Sequence, residues 1–269
     1  MATALNPPRE NLYNTAKRTA DVCISVLLLF CFIPLFVIVA TIIAIESKGG
    51  VFFRQDRVGK DGRIFKIIKF RTMVANAETL GPQITAAADE RMTRLGRLLR
   101  ATKIDELPQL FNVLLGDMSL VGPRPQVPRY VEHFPTAARG IILSVLPGIT
   151  GPTAILFRHE ESILDERPDP ESFYVDVLVP IKCELDVEYV RRRSFWNDVR
   201  VLCATVALVA RGIAHRLMRR PIGHYLELSQ QQQAMIEQYN MDHLVYASVN
   251  ESRAVIELTI PAAAHAEVS

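Results

Sequence analysis

The chain has 269 residues, 49 % hydrophobic and 22 % charged, with a formal net charge of +2. That length buries a sizeable core, and apolar content without a repeat excludes collagen-like, coiled-coil and wholly disordered classes, while four cysteines without metal-type spacing exclude a disulfide scaffold. The charge is unevenly placed: residues 54–103 carry 12 basic against 5 acidic side chains, whereas beyond residue 220 Arg253 faces six acids.

A lead of residues 1–16 precedes residues 22–45, a run of 24 without a charge, bounded by Asp21 and Glu46. About 20 apolar residues cross a bilayer core, so the run predicts a membrane helix over 17–48. Pro34 lies at its middle, where the missing N–H and the ring clash kink or break a helix. Lys17 and Arg18 stand before the run and Lys48, Arg54, Arg57 and Lys60 after it. Two topologies satisfy these residues. A kinked span leaves one basic flank outside; a helix broken at Pro34 enters and leaves on one face and keeps both flanks cytoplasmic. The four cysteines read as buried thiols.

Residues 51–57 and 63–71 are rich in β-branched and aromatic residues around Gly59-Lys60-Asp61-Gly62, which predicts a β-hairpin. Residues 75–88 predict a helix that ends at Gly81-Pro82. Leucine spacing predicts helices over 92–100 and 107–115, with Pro108 in the first turn of the second. Gly122-Pro123-Arg124-Pro125 and residues 147–152 predict loops. Residues 201–210 are apolar between Arg200 and Arg211, too short to span and suited to an interfacial helix. Residues 221–269 read as an appendage, partly helical and partly disordered. The fold class expected is α+β: a mostly helical membrane-embedded domain over 49–220 with a small hairpin and interfacial amphipathic helices.

Walker, Gly-x-Gly-x-x-Gly, Gly-x-Ser-x-Gly and His-Glu-x-x-His motifs are absent. Asp105 and Glu106 stand at the leading edge of the 107–115 helix, where partial positive charge favours carboxylates or a carboxylate holding a divalent cation. Arg100 and Arg124 add guanidinium groups. Together these are the parts phosphoryl transfer needs; a helix-capping acid pair with surface arginines is the plainer alternative. Lys69 and Arg71, ending the second hairpin strand, fit phosphate or headgroup contact or else a solvated edge. A nucleic-acid partner is not expected, because no aromatic platform is interleaved with the basic block.

Taken together, KRTAD from Lys17, FFRQDRVGKDGRIFKIIKFRTM from Phe52, LGRLLRATKIDELPQLFNVLLGDMSLVGPRP from Leu95 and the Pro-Gly-Ile-Thr-Gly segment resemble the bacterial sugar transferase family, the monotopic phosphoglycosyl transferases. The resemblance runs from about residue 17 to about 211. It implies transfer of a phospho-sugar from a UDP-sugar to undecaprenyl phosphate with release of UMP, using Mg²⁺, at the cytoplasmic face of the bacterial inner membrane. It implies Asp105 as nucleophile beside the Mg²⁺, Glu106 in support, Arg100 and Arg124 on phosphate, and a re-entrant helix breaking at Pro34. Later glycosyltransferases would take the product into an exopolysaccharide or glycoconjugate. A lipid-phosphate hydrolase on the same scaffold and a non-catalytic membrane-anchored assembly protein are the rival functions. Two departures stand out: Ile33 occupies the place where the family often has serine, and an unusual stretch carries Arg158, His159 and Glu160, read as a solvated loop.

Overall fold

The computed structural model describes residues 8–77, 89–158, 160–165 and 167–218. The expected appendage at 221–269, most of the expected 75–88 helix, His159 and the side chains beyond Ala210 lie outside the described residues.

Helix α1 runs from Pro8 to Glu46, 39 residues or about 58 Å at 1.5 Å per residue. It continues through Pro34, so the full break expected there is not formed. Proline has no N–H to give to the carbonyl of Phe30, and the loss of one ladder bond is borne inside a long apolar helix. One side of α1 packs against the rest of the chain along most of its length. Arg18 donates to the carbonyls of Val113 (2.6 Å) and Leu114 (3.2 Å), and Lys17 Nζ lies 2.7 Å from Asp198 Oδ2. Asp21 accepts from Ser119 Oγ at 2.7 Å. Further on, Val39 and Ile43 form a core with Phe70 and Leu99, and Phe36 meets Phe70 and Phe111 edge-on. At the far end Glu46 Oε1 accepts from the Arg94 and Leu95 amides at 2.9 and 3.3 Å. The opposite side, including Val26, Leu27, Phe30, Ile33, Val37 and Ile45, is bare.

Strands β1 (Phe52–Val58) and β2 (Ile64–Phe70) form the expected antiparallel hairpin, with Phe52 opposite Phe70 and Val58 opposite Ile64. Its turn holds Asp61 at φ 56, a conformation that Asp tolerates better than most residues. Helix α2 (Arg94–Thr102) starts at Thr93, whose hydroxyl accepts from Gly96 N, and stops at left-handed Lys103. A single 3₁₀ turn, Ile104–Glu106, leads into α3 (Gln109–Leu115). The first helix lies two residues later than expected, and the second starts two later but ends at the expected Leu115, since caps rather than leucine spacing set the ends. Buried Asn112 accepts from Ile68 N at 2.9 Å and donates to Lys66 O at 2.8 Å, so α3 is pinned to the outer edge of β2.

A second sheet was not expected. β3 (Ser119–Val121) pairs in parallel with β4 (Gly148–Thr150), whose residues read as loop. A Cβ on Gly148 would sit 2.1 Å from Gly122 N, so the crossing requires glycine there. Between these strands lie α4 (Pro128–Val131) and α5 (Thr136–Ile142). After them come α6 (Pro152–Leu156), α7 (Glu160–Asp165), α8 (Pro170–Phe173), a π-turn at Tyr174–Leu178, α9 (Val179–Arg191) and α10 (Phe195–Met218). The apolar 201–210 run lies inside α10. The largest core gathers Tyr130, Phe157, Ile163, Leu178 and Cys183. Cys183 alone among the cysteines is buried; Cys23, Cys31 and Cys203 are exposed on α1 and α10, against expectation.

Candidate active site

The sharp path from Lys103 (φ 59) through the 3₁₀ turn to Pro108 turns both Asp105 and Glu106 inward, where both are buried. Glu106 is gripped from two sides. Arg124 bonds it with both ends of its guanidinium (Nη2 to Oε1 2.6 Å, Nη1 to Oε2 3.1 Å), and Lys69 Nζ reaches Oε1 at 3.0 Å. Burial alone would raise its pKa, but Arg124 and Lys69 outweigh that and hold it well below the ordinary carboxylate range.

Asp105 is the opposite case. Its Oδ1 is cut off from solvent with no hydrogen-bond partner. Burial first, and then the neighbouring Glu106 charge, push its carboxyl up to about 6. Lys69, Lys103 and Arg100 oppose the rise without cancelling it. Two adjacent carboxyls with pKa values driven apart are the pattern of divided chemical roles: one fixed anion and one poised, weakly stabilised carboxylate.

The other expected residues divide. Lys69 and Arg124 meet at the dyad. Arg100 acts on Asp105 electrostatically and bonds Glu161 Oε1 at 3.0 Å. Arg71 is a correction. Its guanidinium donates to Ser47 O (2.7 Å), Ser47 Oγ (2.8 Å) and Lys48 O (3.2 Å), closing the end of α1 onto the hairpin. Glu160 is a second correction. It is no solvated loop residue but the first residue of α7, 2.5 Å from buried Lys182.

Sequence reasoning missed three residues. Arg57 shares a hairpin face with Lys69, since Arg57 pairs with Phe65 and Phe53 with Lys69; the strand alternation held that signal. Gln109, one turn past Asp105, is fully buried with neither amide atom hydrogen-bonded. Lys103, in the left-handed cap, is felt by both acids. No cluster of three His, Cys, Asp or Glu occurs among the described residues. The unpartnered Asp105 oxygen is nonetheless the hard donor that Mg²⁺ takes when one carboxylate is completed by substrate phosphates and water.

A bare apolar helix, long enough to cross a membrane, is thus fastened to an α+β unit with a cation-braced carboxylate pair inside. The chain belongs to the bacterial sugar transferase family, whose sequence profile matches residues 12–212. It is 37 % identical over 207 residues to an Aeromonas hydrophila UDP-N-acetylgalactosamine-undecaprenyl-phosphate N-acetylgalactosaminephosphotransferase, covering 76 % of this chain and 46 % of that protein. It is 38 % identical over 197 residues to a Caulobacter vibrioides UDP-glucose:undecaprenyl-phosphate glucose-1-phosphate transferase, covering 71 % of this chain and 68 % of that one. A Streptococcus agalactiae galactosyl transferase is 36 % identical over 211 residues, 73 % of this chain and 42 % of its own. The chain thus spans less than half of the first and third of these relatives.

Proposed function

We propose that this protein moves a sugar-1-phosphate from a UDP-sugar to undecaprenyl phosphate and releases UMP. The observation that carries the reading is the buried Asp105 carboxylate, raised and unpartnered, beside a Glu106 immobilised by Arg124 and Lys69. In the first half-reaction Asp105 attacks the sugar-bearing phosphorus. The bond to the bridging oxygen breaks, and its electron pair leaves on UMP. In the second half-reaction an oxygen of the lipid phosphate attacks the aspartyl phosphate, and the electron pair returns to Asp105. One covalent station thereby serves a water-soluble donor and a lipid acceptor in turn. Arg124 and Lys69, fixed by Glu106, present positive charge without moving during the reaction. Mg²⁺ would be held by Asp105 with substrate oxygens and would supply charge neutralisation on the diphosphate.

Although α1 runs unbroken through Pro34, its seating supports both of its ends lying on one membrane face, as in a re-entrant topology. Lys17 and Glu46 both bond one polar unit, through Asp198 and the Arg94 amide, while some 20 residues suffice to cross a bilayer. A full span would carry these two contacts to opposite faces of the membrane. The bare apolar side of α1 then enters the lipid from one face, the cytoplasmic one by the Lys and Arg flanks. In this reading the protein acts in the bacterial inner membrane at the start of exopolysaccharide or glycoconjugate assembly, ahead of later glycosyltransferases.

The test is UMP release from purified protein with Mg²⁺, a polyprenyl phosphate and a panel of UDP-sugars that includes glucose, galactose and N-acetylgalactosamine. UMP matched by a lipid-linked sugar phosphate is expected, and none with Asp105→Asn. Free sugar phosphate in place of the lipid product would instead establish a hydrolase. Full turnover by Asp105→Asn would end the covalent reading.

A further inference from the structure

Arg57 sits on β1 with its Nη1 3.1 Å from Pro125 O and its Nη2 2.6 Å from Gln55 Oε1. Its Nε is shut off from solvent and has no hydrogen-bond partner. Among the described residues both acceptors that Arg57 bonds are neutral, so no carboxylate is bonded to this guanidinium, and Glu106 and Glu160 favour its charge only from a distance. Burial lowers its pKa to about 10, with the cation beside it, Arg124, adding to the drop and Tyr174, Glu106 and Glu160 offsetting it in part. Arg124 and Lys69 already share Glu106, and Lys182 takes Glu160. Neither carboxylate is bonded to Arg57. A fold that keeps such a group in place, braced by Gln55 and by the carbonyl next to Arg124, is built around an anion that comes from outside.

The position of Arg57 selects which anion. Arg57 and Lys69 lie on one hairpin face, four pairs apart in the register, or about 13 Å at 3.3 Å per residue. Lys69 adjoins Phe70, which packs on membrane helix α1, so Arg57 lies toward the end of the hairpin away from the lipid. A donor whose sugar-bearing phosphorus meets Asp105, near Lys69, can present its adjoining nucleotide phosphate to the reach of the Arg57 side chain. We propose that Arg57 binds the phosphate of the nucleotide half of the donor and stabilises the charge that develops on it as UMP leaves. This rests on the transferase reading above. It goes further by dividing the cations: Arg57 acts in the half-reaction that breaks the diphosphate and has no part in the one that reaches the lipid.

The division supplies the test. Enzyme in detergent with Mg²⁺ is loaded from the lipid side, by incubation with a polyprenyl-diphospho-sugar, and polyprenyl phosphate release is timed. Loading from the donor side is timed by UMP release. Arg57→Gln should slow UMP release on the order of 100-fold or more, as loss of one charge-stabilising donor does. It should leave lipid-side loading within about twofold, and UMP as a competitive inhibitor should bind it at least tenfold more weakly. Arg57→Lys, which keeps the charge, should recover part of the UMP rate. Equal loss in both half-reactions would show that Arg57 only supports the fold, and unchanged UMP release would remove it from the site. Failure of the native chain to release UMP would overturn the transferase reading itself, and this assignment with it.

Discussion

Replacing Asp105 by Asn should abolish turnover and at the same time make the protein more stable. The Asp105 carboxyl moves from 3.8 to about 6 on folding because it is buried beside Glu106 with one oxygen unpartnered. A raised acid pKa means that the folded state resists the charge. The unfolded chain releases this proton near pH 4 and the folded protein near pH 6, so the penalty builds between those values and is complete above them. A shift of about two units corresponds to roughly 3 kcal/mol at pH 7 and above, and about half of that at pH 5. Asparagine has the same shape and no charge to bury. Asp105→Asn is therefore expected to raise the melting temperature by roughly 6–12 °C at pH 7.5, at about 2–4 °C per kcal/mol. The gain should fall by about half at pH 5. The assay is thermal unfolding of both proteins in one detergent at the two pH values. A variant less stable than the native protein at pH 7.5, or a gain that ignores pH, would refute the reasoning and make Asp105 a structural anion.

Glu106→Gln should behave in the opposite sense, because it strips Arg124 and Lys69 of their shared partner; a loss of about 3–5 kcal/mol in chemical unfolding is expected. The rate of UMP release should drop tenfold per pH unit below about pH 6, as the nucleophile takes up its proton; a flat profile from pH 7 to pH 5 would assign the step to another group. In a chain cleared of its exposed cysteines, Asn14→Cys and Lys48→Cys should both react with an impermeant maleimide in inverted membrane vesicles and in neither case from the periplasmic side. Labelling of the two from opposite sides would establish a span.

Much of the site was legible in the chain because it is local. Asp105 and Glu106 are adjacent, and Arg124 stands on a proline-flanked loop whose stiffness shows in the letters, although Lys103 in the same turn was passed over. The hairpin was legible for the same reason, as alternation around a Gly-Asp turn. What stayed hidden depends on pairing across long separations. Arg71 and Lys69 look alike in sequence, two strand-end cations one pleat apart, yet one closes α1 and the other braces Glu106. The β3–β4 pair was hidden because each strand is three residues long and is held by a parallel partner some thirty positions away. Glu160 read as solvent-facing because its partner, Lys182, arrives from another helix.

The membrane helix also has a bearing on when the site comes into being. The segment from Arg94 to Leu115 holds both acids, and α1 closes it at each end: Glu46 satisfies the first amides of α2, and Arg18 takes carbonyls in the last turn of α3. Those two contacts come from residues on either side of the apolar run, so both exist together only when that run is folded as helix. Assembly of the carboxylate pair is thus coupled to the folding of the apolar run, and whatever unwinds that helix releases both ends of the segment that carries the acids.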